Sequence, residues 1–191
     1  MSTQYFTKYS VDFINKSVAE EKNFFVFIAH SMPHVPLFRS ENFANKSTKG
    51  IYGDVIEEID WSVGQILKTI QSLGIIETTY IIFTSDNGPW LTYGSHAGSS
   101  YPLKNGKGTS FEGGMRVPTI ISGPDIYNGV ISELGVQTDL FNTILGLAKL
   151  EPRLHLKNSF NLASVMRHKN KSPRDFVPFF VGSELRAFRL N

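Results

Sequence analysis

The sequence of 191 residues contains no cysteine, which excludes disulfide bonds, thiolate metal sites and a cysteine nucleophile among these residues. The sequence also has no large surplus of charge of one sign. Its 19 Lys and Arg nearly balance 17 Asp and Glu, for a formal net charge of +2. No apolar run reaches the roughly 18 residues of a membrane-spanning helix, and the first residues, MSTQYFTKYS, lack the apolar core of a signal peptide. We therefore expect no nucleic-acid partner and no membrane-spanning segment among these residues.

The composition that remains is globular, with 41% hydrophobic and 13% aromatic residues. Apolar residues recur at helical spacing in residues 6–18, 52–70 and 139–148. The apolar stripe of the first segment consists of Phe6, Tyr9, Phe13, Ile14 and Val18. Continuous apolar runs of strand length occupy residues 24–29, 80–85 and 117–122. Because the first two runs flank the long helical segment, we predict a βαβ unit with parallel strands and an α/β fold class.

The pattern weakens beyond residue 150. Residues 151–175 are mostly polar, and the two apolar segments 177–181 and 185–190 are predicted to pair as antiparallel strands. We therefore predict an α/β domain over residues 1–150, followed over residues 151–191 by a linker and the start of a small C-terminal antiparallel sheet.

Polar residues follow the second apolar run directly, where ligands bind in open parallel sheets. Asp86 and Asn87 offer a carboxylate and an amide oxygen, the hard donors that calcium and magnesium prefer. Gly88 permits a sharp turn of the backbone there. The same Asp-Asn-Gly sequence is also typical of a plain turn, so the pattern alone leaves both interpretations open.

Two further candidates lie in loops. His34, between Pro33 and Pro36, has a side chain able to donate to an anionic oxygen or protonate a leaving group, or it is a surface histidine. Lys107, between two glycines, is placed to neutralise an anion that approaches the backbone, or it is a solvated lysine. The acidic residues of the long helical segment, Glu57, Glu58 and Asp60, are predicted to form its solvated face.

Four strings in order resemble the type I sulfatases of the arylsulfatase A kind: AHSMPHVP at 29–36, GDVIEEID at 53–60, FTSDNGP at 83–89 and GKGTSFEGGMRVP at 106–118. The resemblance covers about residues 5–190. It implies an alkaline-phosphatase-like fold, a mostly parallel sheet flanked by helices, incomplete here, and the hydrolysis of sulfate esters with calcium and a formylglycine nucleophile.

The resemblance also implies roles for four residues. Asp86 and Asn87 match two calcium ligands of the family. His34 and Lys107 match the histidine and the lysine that contact the substrate sulfate, and they are the expected catalytic and substrate-binding residues. The expected substrate is a small-molecule or glycan sulfate ester. His30, His96 and Tyr93 receive no role.

The family's formylglycine string, C/S-x-P-S/A-R, is absent from this sequence, since Ser31-Met32-Pro33 begins a similar string that lacks the arginine. We therefore expect the chain to correspond to the second half of the catalytic domain and to be inactive alone. A phosphoester or phosphonate hydrolase of the same superfamily and a non-catalytic sulfatase remnant remain as alternatives. The compartment and the oligomeric state are not predicted, although the family is mostly exported, periplasmic or lysosomal.

Overall fold

A computed structural model describes residues 2–152, 154 and 156–191. The chain divides into two compact units. The first contains the residues up to Thr79 together with Trp90–Ser99, and the second contains Tyr80–Pro89 and Ser100–Asn191. Within the described residues, no helix is long and apolar enough to cross a lipid bilayer.

The first unit is built on two long helices, α1 (Ser2–Ala19) and α2 (Gly50–Ser72), which confirm the first two helical predictions. Short 3-10 helices occupy Glu41–Phe43, Ile76–Thr78 and Leu91–His96. The apolar core of this unit is formed by Leu37, Val55 and Ile59, with Met32, Val35, Ile51 and Tyr52 packed around them. Helix α2 therefore buries one apolar face against the loop that precedes it.

Helix α1 buries mostly small polar side chains, and of its apolar stripe only Ile14 is fully buried. Tyr9 and Phe13 are 70% and 49% exposed, and the buried residues are Thr3, Thr7, Ser10, Ile14 and Ser17. The hydroxyls of this face are satisfied within the helix, because Ser10 and Ser17 donate to the carbonyls of Phe6 and Phe13. Small side chains let the two helices approach closely, and the Thr7 Oγ1 lies 2.6 Å from the Ser62 Oγ. The predicted helix is therefore confirmed, and its buried face is mainly polar.

The apolar run at residues 24–29 is not a strand, contrary to the prediction. Phe25 and Phe27 are 66% and 81% exposed. A strand is defined by ladder hydrogen bonds to a neighbour, and no described residue forms such a ladder with this run. The predicted parallel βαβ unit is therefore not formed.

The second unit contains two small sheets, both antiparallel. Strand β1 (Ile81–Thr84) pairs with β2 (Thr119–Ser122) in the register Ile81 to Ser122. The predicted mostly parallel sheet is thus corrected for the described residues. The physical reason is where the connection re-enters the sheet. Residues 85–118, which contain the 3-10 helix Leu91–His96 and the four-residue helix α3 (Glu112–Met115), bring Thr119 back opposite Thr84, the end of β1, whereas a parallel pair needs a crossover to the opposite end of the strand.

Of the remaining elements, one helix and the C-terminal strand pair follow the predictions, and a second, short helix lies within the segment predicted to be a linker. Helix α4 (Asp139–Leu147) is the third predicted helix, and it is followed by the short helix α5 (Ala163–His168). Strands β3 (Phe176–Val181) and β4 (Glu184–Leu190) pair antiparallel with an irregularity at Phe179/Phe180, which confirms the predicted C-terminal pairing.

A buried ion pair joins separate segments of the second unit. Arg174 donates from Nε to Asp139 Oδ2 over 2.8 Å and from Nη2 to Oδ1 over 2.5 Å. Asp139 is fully buried and also accepts hydrogen bonds from the backbone N–H groups of Val136 and Phe160. Its two oxygens therefore hold the start of α4, the loop at residue 160 and the segment before β3 together.

Candidate functional site

The first part of the candidate site follows β1 in the second unit. The Asn87 Nδ2 donates to Asp86 Oδ2 over 2.6 Å, and Asp86 is exposed. This bond uses the amide nitrogen of Asn87 and leaves its amide oxygen, which is the atom that a calcium ion binds. The side-chain amide of Gln137 donates to the backbone carbonyl of Ser85 and so holds the residue before the pair.

Closely packed glycines place the Asp86-Asn87 segment beside the loop of Lys107. The Gly88 N–H donates to the Gly114 carbonyl over 3.0 Å, and the Lys107 N–H donates to the Pro89 carbonyl over 2.8 Å. A Cβ at Gly88 would overlap the carbonyl oxygen of Gly113. Only a residue without a side chain permits this approach, so the glycines fix the backbone on which the predicted ligands and Lys107 stand.

Lys107 lies at the tip of a tight turn. Gly106 is buried, and its carbonyl accepts from both the N–H and the hydroxyl of Thr109. Gly108 has φ +85°, a left-handed conformation that glycine adopts without strain. The half-buried Lys107 is therefore carried by a defined backbone and not by a loose loop.

His34 lies in the first unit, on the loop between α1 and α2. Its Nδ1 donates to the carbonyl of Val35 over 2.7 Å, so the proton is on Nδ1 and Nε2 is the nitrogen available to a ligand. The imidazole meets the edge of Trp90 with ring centroids 5.9 Å apart, and Trp90 in turn contacts Tyr93 at 4.9 Å. The ring of His34 is thus oriented from two sides and stays exposed.

An open cleft of about 730 Å³ lies beside His34. Its lining includes Ser31, Met32, His34, Val35, Phe38 and Arg39. The lining is largely apolar around the His34 imidazole, a composition suited to an organic group, while the Arg39 guanidinium is paired with Asp54.

Asp54 of α2 is a buried acceptor that organises the end of the same loop. Its carboxylate accepts from the N–H groups of Ser47 at 2.8 Å, Asn45 at 2.9 Å and Lys46 at 3.0 Å, and Arg39 Nε lies 2.6 Å away. The pKa of Asp54 is lowered below its ordinary value, because these groups stabilise the charged carboxylate. The hydrogen bond from the Ser47 N–H contributes most, and the N–H groups of Asn45 and Lys46 and the Arg39 guanidinium add to it.

Glu58 lies one turn further along α2 and is also buried, which corrects the prediction that it belongs to a solvated face. It is 2% exposed, and its Oε2 accepts from the Ser40 N–H over 2.9 Å. Glu57 and Asp60 are exposed as predicted.

A further turn along α2, the Ser62 hydroxyl lies 3.4 Å from His30 Nε2. Burial lowers the pKa of His30, because the charged imidazolium would lose its water.

The structure therefore places the four predicted site residues in two groups. Asp86, Asn87 and Lys107 share the second unit, and His34 belongs to the first. Sequence reasoning missed Trp90, which contacts His34, although its position directly after the Asp-Asn-Gly-Pro string was a usable signal. Across the described residues, no group of three or more His, Asp or Glu side chains forms a complete metal site.

The comparisons with known proteins agree on one family. A family model described as "Sulfatase" matches residues 1–150. The N-acetylgalactosamine-6-sulfatase of Mus musculus is 44% identical over 153 residues, which are 78% of this chain and 29% of that protein. The arylsulfatase A of Homo sapiens is 36% identical over 171 residues, which are 88% of this chain and 34% of that protein.

A solved structure, that of the PsFucS1 sulfatase from Pseudoalteromonas sp., matches with a TM-score of 0.92 at 28% identity. The match covers 98% of this chain and 39% of that one. The chain thus spans about a third of the length of these relatives.

Proposed function

Because the chain belongs to the sulfatase family, we propose that the protein is a sulfuric ester hydrolase and that Asp86, Asn87, Lys107 and His34 serve its reaction. The observation that carries this proposal is the pair of backbone hydrogen bonds from Gly88 to Gly114 and from Lys107 to Pro89. They hold the segments of the proposed ligands and of Lys107 side by side, which supports a site for a divalent ion and a sulfate group.

Asp86 and Asn87 are the residues that would hold calcium. Their carboxylate and amide oxygens are hard donors and fit this ion, and they supply two of the six to eight oxygens that it takes. When bound, calcium supplies positive charge beside the sulfate oxygens and so stabilises the negative charge of the transition state. The formylglycine nucleophile of the family has no counterpart string in these 191 residues.

Lys107 and His34 would act on the substrate itself. The Lys107 ammonium neutralises a sulfate oxygen, and its glycine neighbours allow the anion to approach the backbone. His34 keeps Nδ1 bound to the Val35 carbonyl, so in the protonated ring the Nε2–H is directed at the ligand. Donation of that proton to the leaving oxygen neutralises the charge that develops as the sulfur–oxygen bond breaks.

We propose a sulfated sugar or a small aryl sulfate as the substrate class. The name of the mouse relative, N-acetylgalactosamine-6-sulfatase, supports the first. The apolar cleft beside His34 supports an organic group attached to the sulfate. We further propose that the 191-residue chain alone does not turn over a sulfate ester, because it contains no C/S-x-P-S/A-R string.

The test is an assay of the full-length gene product, co-expressed with a formylglycine-generating enzyme and supplied with calcium. We expect sulfate release from 4-nitrophenyl sulfate or N-acetylgalactosamine 6-sulfate and little release of phosphate from 4-nitrophenyl phosphate. Lys107→Ala and His34→Asn should lower kcat/KM by about 10²-fold or more.

Two controls match these variants. Lys104, whose ammonium lies 4.3 Å from the Phe111 ring centroid, belongs to the same loop as Lys107, and His168 is an exposed histidine of the second unit. Lys104→Ala and His168→Asn should stay within about twofold of the unchanged protein. Faster hydrolysis of the phosphate ester, or equal losses in the Lys107 and Lys104 variants, contradicts the proposal.

A further inference from the structure

Helix α2 carries a stripe of buried polar residues one turn apart, Asp54, Glu58 and Ser62. Their side chains share a face because residues four apart in a helix lie above one another. All three are at most 2% exposed. A stripe of this kind on a helix interior is unusual, since carboxylates are almost never fully buried without partners.

Each of the three has a partner on one segment that runs along the helix in the opposite direction, and the Ser62 hydroxyl also lies 2.6 Å from the Thr7 Oγ1 of α1. Ser62 contacts His30, Glu58 accepts from the N–H of Ser40, and Asp54 accepts from the three N–H groups of residues 45–47. The segment of residues 30–47 is therefore fastened to α2 at three successive points. His34 lies between the first two of them.

Stability alone does not explain the stripe. Burying a carboxylate carries a large desolvation penalty, and apolar residues of similar volume are often as stabilising or more so. Glu58 even keeps one buried oxygen, Oε1, without a hydrogen-bond partner in the described part of the chain. The same helix already supplies apolar packing through Val55 and Ile59. The carboxylates add directional hydrogen bonds, because each accepts from particular backbone N–H groups and so fixes the position of those residues relative to the helix.

We propose that Asp54 and Glu58 are positioning residues that hold the His34 loop in its working geometry. Glu58 holds Ser40 and the Ser62 hydroxyl contacts His30, so the chain between His30 and Ser40 is held at both ends. Asp54 holds the residues that follow, 45–47. With its ends tied, the loop presents the His34 imidazole to the edge of Trp90. This inference rests on the proposed role of His34 in sulfate ester hydrolysis.

The test compares Glu58 with its exposed neighbour Glu57 in the full-length gene product. Glu58→Ala leaves the Ser40 N–H without its acceptor, Glu58→Gln keeps an amide oxygen for it, and Glu57→Ala serves as the control. The first readout is the ring nitrogen spectrum of histidine-labelled protein. We expect Glu58→Ala to shift or broaden the His34 signals, Glu58→Gln to restore them, and Glu57→Ala to leave them unchanged.

The second readout is the steady-state rate, measured well below the unfolding temperature of each variant. We expect Glu58→Ala to lower kcat about tenfold or more with KM within about threefold, because a small displacement of a catalytic group acts mainly on the chemical step. Glu58→Gln should recover most of the rate. If Glu58→Ala proves insoluble, Asp54→Asn against the exposed Asp60→Asn makes the same comparison.

Two results overturn the inference: unchanged His34 signals in a folded Glu58→Ala variant whose unfolding temperature falls, or equal effects of the Glu58 and Glu57 variants. Failure of the proposed function is recognised separately. An unchanged protein that hydrolyses no sulfate ester refutes the proposed reaction, and the histidine spectrum still decides whether Glu58 positions His34.

Discussion

Gly88 packs on the carbonyl of Gly113 so closely that no side-chain atom fits between them, and its own N–H donates to the next residue, Gly114. This contact joins the segment that follows β1 to the start of α3. The geometry of the Asp86-Asn87 pair therefore depends on the absence of a side chain at Gly88.

Gly88→Ala is expected to destabilise the second unit by about 1–3 kcal/mol, because the added methyl forces the two backbones apart. The measurement is urea denaturation followed by circular dichroism. Gly64→Ala is the matched control, since Gly64 lies inside α2 with nothing near its added Cβ. There the same change should stabilise by about 0.5–1 kcal/mol, through the helix propensity of alanine. Equal effects at the two positions would contradict the close contact.

Removal of one partner of the buried ion pair should be among the most damaging single changes. Asp139→Asn leaves the Arg174 guanidinium buried with one fewer charged acceptor, and a loss of about 3–5 kcal/mol is expected. Asp175→Asn, at an exposed position, should have little effect. A double-mutant cycle with Arg174→Met measures the coupling, and a coupling energy near zero would show that the pair contributes nothing.

Calcium binding by the 191-residue chain should be weak. Two oxygen donors leave most of the coordination sphere to water, so we expect a dissociation constant of about 10⁻³ M or weaker by calorimetric titration. Asp86→Asn should abolish the signal, and Asp125→Asn should preserve it. Submicromolar binding, or binding that persists in the Asp86 variant, would place the ion elsewhere.

Acid should destabilise the first unit in a window set by His30. Burial lowers the pKa of His30 in the folded chain below the ordinary value of about 6.5, so the unfolded chain binds more protons as the pH falls below that value. The contribution of the neutral His30 to the free energy of unfolding is therefore complete above about pH 6.5. It declines as the pH falls from there towards the lowered pKa. The measurement is urea denaturation at several pH values between 5 and 8.

The matched variants for this window are His30→Asn and His168→Asn. The first should flatten the pH dependence below about pH 6.5. The second should leave it as in the unchanged chain, because His168 is exposed. The window of Asp54, whose pKa is also lowered, lies below about pH 4 and does not overlap. A pH dependence that survives in His30→Asn would exclude burial of His30 as its cause.

The sequence patterns correctly predicted the elements whose hydrogen bonds are made between residues close together in the chain. The helical spacing of residues 52–70 identified α2, and the apolar segments after residue 176 identified the hairpin of β3 and β4, because helix and hairpin hydrogen bonds are made within the segment. The run at residues 24–29 failed as a strand because its ladder must come from another segment.

The sequence identified the candidate site residues by their motifs, but it did not predict which residues contact one another. Asp86, Asn87, Lys107 and His34 stood out by residue type and order, although their roles remain proposals. Glu58 was misjudged because a carboxylate on a helix is normally solvated, and only the Ser40 N–H, 18 residues away along the chain, explains its burial. The apolar spacing of α1 did not indicate that serines and threonines share its buried face with Ile14, because hydroxyls that bond to their own helix can be buried like small apolar groups.

The apolar run at residues 24–29 has a consequence for handling the chain in the laboratory. FFVFIA combines aromatic and β-branched residues, no charge and no proline, which is the composition of segments that stack into cross-β fibrils. With Phe25 and Phe27 largely in solvent and no ladder from the described residues, its backbone is open to an identical strand from another molecule. Concentrated solutions should therefore acquire thioflavin fluorescence after a lag, and a lysine in place of Phe27 should lengthen that lag.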